Sequence, residues 1–441
     1  MTPAPGIRVG LAVGAMAPNA GGVEALLVTD PAGAQLAVIP AGETWRLAAS
    51  RAGLAAISPA GASSPAGERL VLAAAASGDP VRINGRPYRG LVEVLRDSLG
   101  LTLVNRLGLE EYLQGVISAE MGRRSMEDRE ALRAQAVVSR TYAMRNMRRW
   151  SKQGFDLYGT VSDQVYGGVS TETPEGNEAV SATRGRILTH GGAPIDAFFY
   201  STCGGRTAGG TEVFRAADRI YLRSVSDVGL DGAAYCSLSP RYRWREEWTG
   251  EGLRTILQRT LPAATGTPVA RVREVSDVRV IYRTGSGRVG QLGIGLRESE
   301  VRVEGPAVRG VLRSPSGDML RSNAFELTVT GAGRQVTRLV AEGGGAGHGV
   351  GFCQWGGGGA LARGARLSAH PRGVLSGCDA GAAVLIRGSA PVGARPASPA
   401  RRKRRAHGGL SPAFGREKRA RQASPLRSGR EHDRQEHQRA A

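Results

Sequence analysis

The chain is 441 residues long and carries 59 Lys/Arg against 39 Asp/Glu, a formal charge of +20. That length allows two or three domains with a sizeable core. No run of about 18 apolar residues occurs, so no membrane-spanning helix is expected. A basic surface suits an acidic polymer such as nucleic acid, anionic lipid or bacterial cell wall, but here the charge is a poor guide to a partner. Residues 395–441 hold fourteen basic and four acidic residues, half of the formal charge, and every basic residue other than Lys152, Lys403 and Lys418 is an arginine. With so much Ala and Gly, that bias reads as the mark of a GC-rich genome.

The first residues, MTPAPGIRVGLAVGAMAPNAGG, have a short apolar stretch and no basic segment before Arg8, so they do not read as a signal peptide. They read as a first strand, Ile7–Val13. Further short apolar or alternating runs follow at Glu24–Val28, Gln35–Ile39, Arg69–Ala74, Val81–Ile83 and Leu101–Leu107, separated by Gly, Pro and Ser. Asn84-Gly85 predicts a type I′ hairpin turn, since both central residues need positive φ. A β-rich region is expected over 1–80, and strand character continues to about residue 107.

Helical spacing begins at Leu109. Tyr112, Leu113, Val116, Ile117 and Met121 share one face, and Gly122 is placed to end the helix. Ser125-Met-Glu-Asp128 resembles a capping box opening a second helix, expected to run to about Trp150 with Arg140 mostly off its apolar stripe. Thr173-Pro174 opens a third, ended by Gly185. Strands are expected at Ile187–Thr189 and Ile195–Tyr200 around a turn at His190-Gly-Gly192. More follow at Val275–Tyr282, Val289–Ile294, Val301–Val303 and Phe325–Thr330, a β-rich subdomain over 250–340. Beyond about residue 365 the chain is Arg, Ala, Gly, Ser and Pro with Phe414 as its one aromatic, a composition that cannot bury enough apolar surface to offset its ordering entropy. The expected class is α+β: a β-rich N-terminal part, a helical catalytic segment, mixed strands with a β insertion, and a disordered basic tail over 366–441.

Four places can carry chemistry. Glu120 stands at the end of a mostly apolar helix; buried there, its pKa rises and it donates a proton near neutral pH, whereas solvated it is an ordinary helix-end acid. His348 lies in GGGAGHGVGFCQWG, where glycine permits close backbone approach; no Lys-Ser/Thr follows, so a phosphate loop is not supported. Cys203, Cys236 and Cys353 have no C-x-x-C spacing; with His348 they form one zinc-type set, while a Cys203–Cys236 disulfide or plain buried thiols remain open. Ser201–Thr207, STCGGRT, is a small polar loop after a strand, suited to binding a sugar or a backbone. A Cys or Ser nucleophile would need a histidine base, and nothing resembles a nucleophile elbow.

EEYLQGVISAEM, EALRAQAVVSRTYAM, SDQVYGG, NEAVSATRGRIL, APIDAFFYSTCGGRT, LRSNAFEL and GHGVGFCQWG together, in this order, resemble the stage II sporulation protein D / LytB family of peptidoglycan-acting proteins. The resemblance covers about Arg82 to Ala365, within an expected domain at 81–365. It implies a lytic transglycosylase that cleaves the glycan strand after N-acetylmuramic acid with formation of a 1,6-anhydro product, Glu120 aligning with the catalytic acid. The alternative it implies is a non-catalytic wall-binding protein that enhances an N-acetylmuramoyl-L-alanine amidase. Peptidoglycan strands and a cell-wall amidase are the expected partners, at the cell envelope or outside the cell; no specific nucleic acid is expected. Arg140, Gln164, Tyr166, Ser201, Thr202, His348 and Gln354 are candidates for contacting the glycan or positioning the site, with a structural salt bridge the equal alternative for Arg140. The chemistry requires no cofactor; a structural zinc on Cys203, Cys236, His348 and Cys353 is a candidate. Members are normally exported, so the start of this chain is expected to be truncated or misassigned. The family's tyrosine-rich ending is replaced here by RLSAHPRGVLSGCDAG, which is expected if a frameshift near residues 363–370 produced the basic tail.

Overall fold

A computed structural model of the chain describes residues 5–76, 78–214, 218–362 and 385–388, with 360–362 and 385–388 described by their backbone alone. The fold is α+β. Its first part is built on two mostly antiparallel sheets; the central strands of the larger one are buried on successive residues, while strands of the smaller one alternate inward aliphatic with outward polar residues. In Val81-Arg82-Ile83, for instance, the two aliphatic residues are buried and the arginine is exposed. The larger sheet has seven strands in the order Leu157–Tyr158, Gly6–Ala15, Leu101–Gly108, Leu91–Arg96, Leu70–Ala74, Leu26–Thr29 and Gln35–Ile39. Its one parallel pair joins Leu157–Tyr158 to the first strand. The smaller sheet has five, Gly53–Ile57, Thr44–Ser50, Asn19–Gly21, Val81–Ile83 and Arg86–Tyr88. Asn84 and Gly85, at φ 48° and 80°, turn the last hairpin between paired Ile83 and Arg86, as the sequence predicts. Both sheets cross residue 80, so no break in pairing falls at the boundary expected there. Leu91–Arg96 is a strand that the apolar pattern hides, because Glu93 interrupts it; this carboxylate is buried and held by Arg8 at 2.7 Å and Arg106 at 3.5 Å.

Three helices pack on the larger sheet and complete its core, which runs from Ile7 to Val180. Helix α1, Leu109–Met121, buries Tyr112, Leu113, Val116 and Ile117 and stops where Gly122 takes a φ of 71°. Helix α2, Arg129–Asn146, is preceded by a 3₁₀ turn whose Ser125 hydroxyl accepts from the Glu127 amide. It ends four residues short of Trp150, with Arg148 at a φ of 68°. Helix α3, Pro174–Ala182, has Thr173 as its N-cap, accepting from Gly176 N–H at 3.1 Å, and ends before Gly185.

Beyond α3 the hairpin Arg186–His190/Ala193–Pro194 turns on Gly191 and Gly192, both at positive φ. Phe199–Tyr200 then pairs in parallel with Phe352–Cys353, about 150 residues later. Between them lies a module with a core of its own, drawn from Trp244 to Ala341. It contains two three-stranded sheets (Arg243–Thr249, Gln335–Gly344, Phe325–Ala332; and Val275–Arg283, Val289–Leu296, Glu300–Glu304) and a helix, Gly250–Thr265, where only strands are expected from the sequence. That helix begins at Thr249, whose hydroxyl accepts from Gly252 N–H, and buries Leu253, Ile256, Leu257 and Leu261 at helical spacing. Chain enters and leaves the module side by side: Arg243 pairs with Gly344, and Gly345 N–H donates to Tyr242 O at 3.1 Å.

A final helix, Gln354–Ala362, closes the described domain. The expected disordered tail lies mostly outside the described residues, as does the expected frameshift point at 363–370. Four of its residues, Leu385–Gly388, are a strand paired antiparallel with Arg186–His190, which departs from disorder throughout 366–441. Among the described residues no helix is long and apolar enough to cross a membrane.

Candidate active site and cysteine cluster

Glu120 lies one residue from the end of α1. Its Oε1 accepts a hydrogen bond from Val165 N–H at 2.6 Å. Burial pushes its carboxyl up to about 7, the Val165 bond pulling the other way. The loop that supplies Val165 is fixed from three sides. Tyr112 O–H donates to Gln164 Oε1 at 3.2 Å, and Tyr166 O–H donates to Asn105 Oδ1 at 2.8 Å. On the α1 side, Gly167 N–H and the Thr171 hydroxyl both donate to Gly115 O. Gly115 has to be glycine: a Cβ there would stand 2.5 Å from the Tyr166 ring. On the other side Asp163, whose side chain is fully buried, accepts from Tyr142 O–H, Arg149, Trp150 Nε1 and Tyr158 N–H.

These contacts relocate several residues expected at a glycan groove. Gln164 is 0 % exposed and Tyr166 5 %, so both anchor the loop behind Glu120 rather than face a substrate. Thr202 is buried as well, its hydroxyl 2.7 Å from Ser239 Oγ. Gln354 is buried, with Nε2 donating to Gln135 Oε1 at 3.5 Å, and so joins the last helix to α2. Arg140, 1 % exposed, forms a bidentate pair with Glu110 at 2.9 and 2.7 Å and donates to Ala136 O, Val180 O and Arg186 O. It is a buried structural ion pair tying α1, α2 and α3 together. Ser201 alone of the candidates in that loop stays half-buried, and its carbonyl accepts from Trp355 N–H.

Sequence reasoning missed the Val165 amide, which carries no side-chain signal, and a pair at the end of α1. Arg124 donates from Nε to Met121 O at 3.1 Å and lies 4.1 Å over the Trp355 ring. The tryptophan of the Gly-rich motif thus meets the residues that follow Glu120.

The cysteines are brought together as a group. Cys203, Cys236 and Cys353 are buried, and their Sγ atoms and a carboxylate oxygen of Asp227 lie within 4.8 Å of one another. His348 is not among them. Its Nε2 bonds to Phe199 O at 2.9 Å and its Nδ1 accepts from Val350 N–H at 3.1 Å, so both ring nitrogens serve the backbone. Burial lowers its pKa to about 4, which keeps the ring neutral. Asp227 therefore stands where the sequence suggested His348. Hydrogen bonding to Cys236 raises the Cys203 thiol, and the same bonding holds Cys236 low. Burial pushes Asp227 up to about 7.

Comparison with known proteins gives the same outline. The family model described as stage II sporulation protein matches residues 97–190, the span holding α1, α2, α3 and the Val165 loop. A domain of unknown function (DUF8618) matches residues 235–351, the module between the paired strands. An uncharacterized protein of Brachyspira hyodysenteriae is 28 % identical over 63 % of this chain and 68 % of its own length. Stage II sporulation protein D of Bacillus subtilis is 32 % identical over 33 % of this chain and 44 % of its own, and the amidase enhancer of the same organism is 25 % identical over 55 % and 36 %. The chain thus spans less than half the length of these two Bacillus proteins. Residues 97–190 thus match the stage II sporulation protein model, and the chain is similar to the stage II sporulation protein D and the amidase enhancer of Bacillus subtilis.

Proposed function

We propose that the chain is a peptidoglycan lytic transglycosylase in which Glu120 acts first as general acid and then as general base. The observation that carries this reading is one carboxyl group raised to about 7 by burial at the end of α1. At neutral pH such a group is protonated about half the time and donates to the glycosidic oxygen that leaves from N-acetylmuramic acid. The C–O bond breaks through an oxocarbenium-like state. Glu120, now anionic, takes the proton of the sugar's own C6 hydroxyl as O6 attacks C1, which closes the 1,6-anhydro ring and returns the acid to its starting form. No water is consumed. Hydrolysis with two flanking carboxylates would need a second free acid; Asp163, the acid nearest Val165 in the sequence, is already engaged by four donors, which supports the one-carboxyl route. The action belongs at the cell envelope, where the substrate is.

Purified chain incubated with glycan strands stripped of stem peptides should yield products ending in 1,6-anhydro-N-acetylmuramic acid, and Glu120→Gln should yield none. Equal product traces from the two proteins would end the reading. A second reading, enhancement of a cell-wall amidase, is favoured by the likeness to the Bacillus subtilis amidase enhancer. It predicts binding to intact sacculi without anhydro products, and faster peptide release when an N-acetylmuramoyl-L-alanine amidase is added.

A further inference from the structure

We propose that Cys203, Cys236, Cys353 and Asp227 form a closed, structural zinc site that holds the last helix against the segment following Glu120. All four residues are buried and their ligand atoms already converge: Cys203 Sγ is 3.4 Å from Cys236 Sγ and 2.8 Å from Asp227 Oδ2. A tetrahedral zinc with Zn–S of about 2.3 Å and Zn–O of about 2.0 Å sets two sulfurs roughly 3.8 Å apart and a sulfur and an oxygen roughly 3.5 Å apart, so these two pairs have to open by about 0.4 and about 0.7 Å.

The surroundings are those of metal-bound thiolates. Backbone N–H groups point at the sulfurs: Cys203 and Gly356 donate to Cys353 Sγ, each at 3.2 Å, and Gly205 donates to Cys203 Sγ at 3.3 Å. Such donors favour thiolate over thiol and fix ligand orientation. Gly204 and Gly205, at φ 79° and 111°, allow the chain to fold back after Cys203 so that this amide reaches the sulfur. At Gly356 a Cβ would lie 2.6 Å from Asp227 Oδ2, so glycine makes room for the carboxylate. Neither alternative accounts for as much. A Cys203–Cys236 disulfide leaves Asp227 and the amides on Cys353 without a purpose. Plain thiols leave a buried carboxyl among three other acidic groups, which is costly without a cation. Three soft sulfurs and one oxygen suit zinc, and four protein ligands leave no open position for a substrate or a water nucleophile.

The ligands come from four separate stretches: the turn after Phe199–Tyr200, the segment containing Asp227, the 3₁₀ turn Tyr235–Leu238, and the strand leading into the last helix. Cys353 directly precedes Gln354, which bonds α2, and Trp355, which packs under Arg124. The ion thereby ties the module's two flanks to the α1 end.

The test uses the full chain purified under reducing, chelator-free conditions. Elemental analysis should give about one zinc per chain. Replacement by cobalt(II) should give the tetrahedral d–d bands and the thiolate-to-metal charge-transfer absorption of three sulfurs. Cys236→Ala should lose the metal. Chelation should lower Tm of the wild type. Fully reduced wild-type protein that takes up neither zinc nor cobalt overturns the proposal, as does a cobalt spectrum without thiolate charge transfer. Should Cys236→Ala fail to fold, the wild-type metal content and cobalt spectrum still decide.

Discussion

Replacing Glu120 by glutamine should remove glycan cleavage and at the same time stabilise the protein, by an amount that grows as pH rises from 4.5 to about 7 and is constant above. The carboxyl is held at about 7 against an ordinary value of 4.5, with burial the main cause. At about 1.4 kcal/mol per unit, that displacement corresponds to ~3 kcal/mol. The sign follows from proton binding. Between 4.5 and about 7 the folded protein keeps a proton that the unfolded chain has released, so stability falls as pH rises and levels off above about 7. The carboxamide of the Glu120→Gln variant stays neutral throughout and can still accept from Val165 N–H. The variant should therefore match wild type at pH 4 and exceed it by ~3 kcal/mol at pH 8. If residues 5–362 unfold as one unit, an entropy of about 0.7 kcal/mol/K turns this into ~4 °C. Differential scanning fluorimetry and urea denaturation at the two pH values measure it, beside product analysis on peptide-stripped glycan. A variant no more stable than wild type at pH 8, or equally stabilised at both pH values, would show that Glu120 is not desolvated, and the reasoning that makes it a neutral-pH acid would fall with it.

Four further outcomes are expected. For the wild type, kcat/KM on glycan should drop about tenfold per pH unit above about 7, as Glu120 loses its proton in the free enzyme; a flat profile to pH 9 would contradict this. Arg140→Ala should cost about 3–5 kcal/mol in urea unfolding, because it leaves Glu110 buried and unpaired. Gly115→Ala should destabilise by about 1–3 kcal/mol, since the new Cβ meets the Tyr166 ring. It should also lower product formation in the fraction that stays folded, by moving Val165 off Glu120; unchanged turnover would mean that loop position does not matter. His348, neutral down to about 4, should withdraw stability as pH falls from 6.5 through 4, by ~3 kcal/mol. That trend opposes the one from Glu120, so it should be read as the difference between wild type and His348→Gln.

What could be read from residue order is what depends on local rules. The α1 stripe, Gly122, the Thr173 cap and the Asn84-Gly85 turn each declare themselves within a few residues, and each is where it was expected. Glu120 was legible as a carboxylate at the edge of an apolar helix. Its partner was not, since any residue but proline at 165 supplies the same N–H. Gln164 and Tyr166 carry polar atoms that suggest a sugar site, but those atoms face Tyr112 and Asn105 inside the fold. For Arg140 the sequence allowed a positioning role or a structural salt bridge, and the structure has the salt bridge: a bidentate carboxylate partner 30 residues away makes burial of the guanidinium tolerable. The three cysteines were recognised as a set; Asp227 was not, because a cluster drawn from four distant stretches leaves no spacing to read. Helix Gly250–Thr265 was overlooked although its Leu253, Ile256, Leu257 and Leu261 keep a helical period, amid flanks dense in strand signals.

The adjacency of Tyr242 and Gly345 makes the intervening hundred-odd residues a cassette. Their hydrophobic interior is self-supplied, and their entry and exit are joined by a backbone hydrogen bond. A short turn joining Tyr242 to Gly345 would bridge that seam, but the module also reaches out of it through Arg288, which donates to Cys203 O and Arg206 O, so whatever evolution or a protein engineer puts in its place has to supply those two bonds.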